Sequence, residues 1–327
     1  MPPFLKRNLL ILAIATATAA ALFIPGPGNA MKEFGLVPWT VIVIFLCQGA
    51  VLNLSDNLQP GRHLKAIAWG LVITHILAPV FGWLVVRYGA DHLGWQADDR
   101  VGFLLMCCMA PTLASGIIIA AQAGGDHLTS VLLTVAMNLA SILTIPFNLK
   151  WTLGTESDIP IDQFALLRKL VLLILIPSLV GQLIRHFRAE DVKRHTPIIK
   201  IIPVLALSAT IYMSLASQSD ALRSIAPLRL LTYILPALTV HLSLFAVAYF
   251  GARWPLRLPE AVGRSLAICC SQKTLPVVVA IWSTSFHDYP TAILAPIVFH
   301  LSQIYCDGLI AKRLAARPTT PEPLPAG

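Results

Sequence analysis

The residue with the most chemistry to offer is a lysine set in an apolar run. Lys273 stands in Ser271-Gln272-Lys273-Thr274-Leu275, and the run from about 262 to 282 holds no Asp or Glu. A lysine in mid-span costs about 2.5–3.5 kcal/mol on insertion scales, so its presence there points to a task. It can bind an anion, exchange a proton, or serve as a fixed charge. The surrounding pattern occurs twice. Cys107-Cys108-Met109-Ala110-Pro111-Thr112-Leu113 and Cys269-Cys270-Ser271-Gln272-Lys273-Thr274-Leu275 both read C-C-x-x-x-T-L, at an offset of 162 residues. The same offset carries Asn138 onto His300. Asn138 has Thr134 and Ser141 one turn away, and His300 has Ser302 and Gln303 beside it.

Both copies are ill-suited to an unbroken helix. The first carries Pro111 and then Ala114-Ser115-Gly116; the second carries four polar residues and then Pro276. Proline has no N–H and clashes with the preceding turn. In a bilayer such a break must be buried in protein or line a cavity. Two broken helices that cross present N-terminal ends, which favour anions, and C-terminal ends, which favour cations. The candidate site is therefore Thr112, Ser115 and Gly116 from the first break, Ser271, Gln272, Lys273 and Thr274 from the second, and Thr134, Asn138, His300 and Gln303 from the helices that follow. His75 and His241 read as packing or interhelical hydrogen-bonding residues. Asp307 reads as snorkelling or pairing with Lys312 near the inner face.

The elements that must position these residues follow from composition. Of 327 residues, 56% are hydrophobic and 12% are charged, against about 25% charged in soluble domains. A soluble enzyme and a disordered chain are both excluded. Apolar runs lie at roughly 8–24, 37–54, 65–86, 101–121, 128–149, 165–185, 199–216, 228–251, 262–282 and 291–311, each near the roughly 20 residues a transmembrane helix needs. Ten spans place five between the repeated motifs, so the halves have opposite orientation, as in transporters whose site lies between inverted repeats. The expected unit is 1–317, with repeats at about 8–149 and 165–311, and a Pro-rich disordered tail at 318–327. With the N-terminus inside, 15 of the 24 Lys and Arg residues face the cytoplasm, 8 face out, and Lys273 lies within a span. This bias predicts two cytoplasmic termini. A cleaved leader over the first run is the rival reading of that segment. The net charge of +8 is then topology, and no nucleic-acid partner is expected. The six cysteines fall within spans, with no metal spacing.

On these residues the chain resembles the bile acid–sodium symporter superfamily, in its symporter-like branch. The resemblance rests on Gly49-Ala50-Val51-Leu52-Asn53-Leu54, Pro111-Thr112-Leu113-Ala114-Ser115-Gly116, Gly125-Asp126, Ser271-Gln272-Lys273-Thr274-Leu275, and Pro296-Ile297-Val298-Phe299-His300 leading into Gln303. It implies an all-α protein of ten helices in a five-plus-five inverted repeat. Spans four and nine cross in a core domain beside a panel domain. It also implies sodium ligands at Ser115 and Gly116, at Thr134 and Asn138, and at Ser271 and Gln272. Two departures stand out. The sodium carriers have an Asn where Gly116 stands, and a Glu at the second break where this chain has Lys273. A fixed cation beside sodium would repel it by several kcal/mol in a dry pocket.

The resulting expectation is a secondary active transporter in a bacterial inner membrane. It would move a small organic, anionic solute by alternating access with sodium or proton coupling, among membrane lipid and with no other cofactor. The rival is a non-transporting regulator on the same fold. An intramembrane enzyme is disfavoured, because no nucleophile–base pair or metal spacing is visible.

Overall fold

The computed structural model describes residues 3–52, 60–112, 115–156, 161–223, 227–286 and 288–316. Leu113, Ala114, Asn53, Leu54 and the tail at 318–327 lie outside them. Every element among the described residues is helical. In order they are α1 (Pro3–Phe23), α2 (Pro25–Glu33), α3 (Leu36–Val51), α4 (Pro60–Val72), α5 (Ala78–Gly89), α6 (Ala97–Cys107), α7 (Ser115–Gln122), α8 (His127–Glu156), α9 (Gln163–Leu170), α10 (Ile176–Phe187), α11 (Ala189–Ile199), α12 (Ile202–Ala216), α13 (Ser219–Arg223), α14 (Pro227–Arg253), α15 (Glu260–Ser271), α16 (Leu275–Ser285) and α17 (Leu294–Ala315).

Two π-helical turns, Ile73–Leu77 and Val171–Leu175, join α4 to α5 and α9 to α10. Each precedes a proline, Pro79 or Pro177, in the first turn of the next helix. Proline frees the carbonyl four residues back. For Pro79 that is the carbonyl of His75, and Asn148 Nδ2 on α8 donates to it at 3.0 Å. α2 and α3 meet at 85° across Phe34–Gly35, where Gly35 takes φ 71. α11 and α12 meet at 47°.

Among the described residues, six helical stretches are long and apolar enough to cross a membrane, or up to eight if each bent pair counts as one span. The other two apolar runs, 8–24 and 101–121, fall on α1 and on the short pair α6 and α7. By length and composition, six to eight of the ten apolar runs are thus carried by candidate spans among the described residues. The break in the 101–121 run leaves α6 and α7, each too short to pass, whereas the broken stretch Glu260–Ser285 still passes as one.

α3 packs on α10 and α12, and α12 packs on α1 and α2. α4 to α8 and α14 to α17 form a second group, with α15 against α8, α14 and α7. The stretch Glu260–Ser285 is 94% buried across its apolar window, against 22% for Gln163–Phe187. The lysine-bearing segment thus occupies the middle of the molecule. The ends of the broken helices are tied across the sequence halves. Asp98, in the first turn of α6, accepts from both the backbone N and the hydroxyl of Thr291 at 2.7 Å, just before α17. After α7, the backbone N of Asp126 donates to the Ala261 carbonyl at 3.1 Å, and the Ser265 hydroxyl donates to the Asp126 carbonyl at 2.8 Å.

Candidate functional site

The breaks stand where proline puts them. α6 stops at Cys107, the residue whose carbonyl the Pro111 ring would strike. α15 stops at Ser271, and Gln272 takes the extended ψ of 151 before Thr274 opens α16 with Pro276 in its first turn. The two breaks touch. Thr274 N donates to the Ala110 carbonyl at 2.9 Å. The Thr112 hydroxyl donates to Gln272 Oε1 and accepts from Gly116 N at 3.0 Å. Thr112 and Thr274 are repeat partners, as are Ala110 and Gln272, so each half reaches into the matching position of the other. Gly116 is small for a local reason. A Cβ there would press on Gln272 Oε1 and Thr112 Oγ1, at 3.2 and 3.3 Å.

Backbone groups left bare by the breaks are met by amide and imidazole side chains. Asn138 Nδ2 donates to the Pro111 carbonyl at 3.2 Å and the Thr134 carbonyl at 2.8 Å. At the equivalent place in the second half, His300 Nδ1 lies 3.1 Å from the Lys273 carbonyl. Gln303 clamps the same residue at two points. Its Oε1 accepts from Lys273 N at 2.9 Å, and its Nε2 donates to Lys273 O at 2.6 Å. A buried unpaired backbone group costs about 1–3 kcal/mol, so these contacts let an irregular backbone persist in an apolar interior.

Asp307 corrects the expectation drawn for it. It is fully buried, accepts from Gln272 Nε2 at 2.7 Å and lies 2.8 Å from His241 Nε2. His241 in turn has Nδ1 3.2 Å from the Ser271 carbonyl, so its reading as an interhelical bridge holds. The break lacks an acid in its own sequence, yet a carboxylate reaches it from α17. The signal for this was weak: a single Asp at the end of an apolar run looks like a snorkelling residue.

Lys273 is 0% exposed. Among the described residues its Nζ has no hydrogen-bond partner. His75 pairs through Nδ1 with the Thr144 hydroxyl at 2.9 Å.

The other expected site residues divide. Thr134 and Ser271 turn their hydroxyls back to carbonyls of their own helices, Ser130 and Ala267. Ser115 is half-buried at the start of α7 and Thr274 is buried. Asn138 borders a cavity of about 140 Å³ between α3, α8, the second π turn and α10. Gln48, Ser178 and Gln182 are its other polar lining residues, among apolar ones such as Phe45 and Ile174. Lys273 is not among its lining residues. Gln182 went unnoticed in the sequence. It donates to the Gly49 and Leu52 carbonyls at 2.6 and 2.9 Å, capping the end of α3. Among the described residues no cluster of three His, Cys, Asp or Glu groups could hold a metal ion. A sodium ion would instead draw on the oxygens of Ser115, Thr134, Asn138 and Gln272, of which Gln272 Oε1 already accepts from Thr112.

The chain is similar to known proteins along most of its length. Residues 8–316 match the model of the SBF-like CPA transporter family. A chloroplast protein of Arabidopsis thaliana named "Probable sodium/metabolite cotransporter BASS4" is 27% identical, over 94% of this chain and 72% of its own length. Sodium/bile acid cotransporter 7 of Danio rerio is 23% identical, over 85% and 83%. The uncharacterized protein PA2026 of Pseudomonas aeruginosa is 23% identical, over 97% and 95%.

Proposed function

Because the chain belongs to the SBF-like CPA transporter family, and is an integral membrane protein, we propose that it is a secondary active transporter of an organic solute, working by alternating access. One observation carries the reading. Two helices break at repeat-matched positions and hydrogen-bond to each other through Thr274 N and Ala110 O, and Asn138, which holds the Pro111 carbonyl, also borders the cavity. A solute in the cavity then touches a residue bonded to the crossover, so occupancy and crossover geometry are mechanically linked. The pairings of Asn138 with Pro111 and of His300 with Lys273 support a five-plus-five inverted repeat of ten spans. In this reading both termini face the cytoplasm of a bacterial inner membrane.

The anion preference expected from Lys273 takes a different form. An anionic solute in the cavity would be met by Gln48, Asn138, Ser178 and Gln182, not by the lysine. Coupling is to a cation, sodium or a proton. Oxygens of Ser115, Thr134 and Asn138 stand on the first break's side, and the carboxylate of Asp307 stands on the second.

Uptake into proteoliposomes tests the proposal. A panel of labelled organic acids and their neutral amides is offered under an inward sodium gradient, an inward proton gradient, and neither. Gradient-driven accumulation of at least one solute is expected. Ligand binding without accumulation under any gradient would overturn transport and favour a regulator.

A further inference from the structure

The cavity beside Asn138 has a fixed polar character that its residue types alone do not show. Asn138 and Gln182 each carry an amide, with two N–H donors on nitrogen and an acceptor oxygen. In both, the donors are spent on backbone. Asn138 Nδ2 donates to the Pro111 and Thr134 carbonyls, and Gln182 Nε2 donates to the Gly49 and Leu52 carbonyls. Carbonyls only accept, so a flipped amide would set oxygen against oxygen and lose both bonds. The amide oxygens are thus the free ends. Among the described residues neither Asn138 Oδ1 nor Gln182 Oε1 receives a hydrogen bond, and neither is sealed by protein. The other two polar lining residues, Gln48 and Ser178, can turn either a donor or an acceptor to a guest. No lining residue is charged.

A carboxylate entering here would meet two fixed acceptor oxygens and no cation, and a buried charge without a partner is strongly disfavoured. An ammonium would find the oxygens but no carboxylate to neutralise it. A group that donates hydrogen bonds and carries no charge suits the oxygens without that cost. An apolar cavity of about 150 Å³ holds one benzene. At about 140 Å³ and with a wall of residues such as Phe45, Ile142 and Ile174, this one takes a guest of roughly six heavy atoms. We propose that the cavity selects an uncharged hydrogen-bond donor on a small apolar body, such as a primary amide, over the corresponding carboxylate. Asn138 Oδ1 and Gln182 Oε1 are the selecting acceptors, and the guest's own oxygen suits Gln48 or Ser178. The inference rests on the cavity being the solute site of the transport reading.

The experiment is thermal unfolding of the purified full chain with four probes of similar size. They are isobutyramide, isobutyrate, isobutylammonium and methyl isobutyrate, the last uncharged but without a donor. A ligand of the folded state raises its apparent stability. Isobutyramide is expected to raise the melting temperature and to bind about tenfold more tightly than each of the others, equivalent to about 1.4 kcal/mol. Val135→Phe, or Ile142→Phe if the first variant does not fold, fills the cavity and should melt without response to the amide. No response of the wild type to isobutyramide, equal or tighter binding of any other probe, or an amide response that survives cavity filling would overturn the proposal. The transport reading fails separately, through amide binding with no accumulation of any solute under a gradient. Accumulation of an organic acid with no preference for the amide would overturn the selectivity alone.

Discussion

Gln303→Met is the sharpest probe of how the broken backbone is held. Gln303 satisfies both backbone groups of Lys273, with contacts of 2.9 and 2.6 Å at zero exposure. Methionine is close in volume, so the substitution removes these two hydrogen bonds, and the contact of Nε2 with His300 Nδ1 at 2.9 Å, without opening a cavity. The break cannot repair itself by winding into helix, because the Pro276 ring would strike the Gln272 carbonyl and has no N–H to offer. The Lys273 N–H is therefore left bare, at about 1–3 kcal/mol. The Lys273 carbonyl loses less, since His300 Nδ1 remains 3.1 Å away. The sum is about 2–4 kcal/mol. Ordinary interhelical hydrogen bonds in membranes average only about 0.6 kcal/mol, because the separated helices find other partners. The assay is denaturant or thermal unfolding in mixed micelles, with Gln303→Glu as the variant that keeps the acceptor for Lys273 N. A methionine variant within about 1 kcal/mol of wild type would place Gln303 in that ordinary class and refute the clamp.

Three further outcomes follow from the same geometry. Asp307→Asn can serve only one of Gln272 Nε2 and His241 Nε2 as acceptor, so unfolding measurements should show a loss of about 1.5–3 kcal/mol, the range for hydrogen bonds to charged groups. Asn138→Leu removes a polar group from the cavity and frees the Pro111 carbonyl; solute binding read by ligand-induced stabilisation should weaken about tenfold, equivalent to about 1.4 kcal/mol. Gly181→Ala drives a methyl into the backbone of α3 at Leu46 and Ala50, and equilibrium unfolding should report about 1–3 kcal/mol of overpacking.

Some of this was legible because it obeys local rules. Pro111 and Pro276 fix where the helices stop through a clash and a missing donor that reach only four residues back. The repeated Cys-Cys motif marked two matching breaks, and the offset that carries Asn138 onto His300 also relates their contacts with Pro111 and Lys273. Gly116 is less legible, since only the neighbouring Thr112 and Gln272 side chains show why nothing larger fits. The count of spans was harder to read back from the helices, because a break at the centre of a span leaves short pieces such as α6 and α7.

What the amino-acid order determined is a membrane protein of helices with two breaks at related positions and a lysine in one of them. What only the tertiary structure decided is which groups answer those breaks. Asp307 is 35 residues from Gln272 and 66 from His241, and no periodicity predicts that α14, α15 and α17 bring the three together. The burial of Lys273 is likewise a packing outcome: its charge looks free for a solute in the sequence, but the folded chain leaves it without exposure and lines the cavity with Asn138 and its neutral neighbours instead.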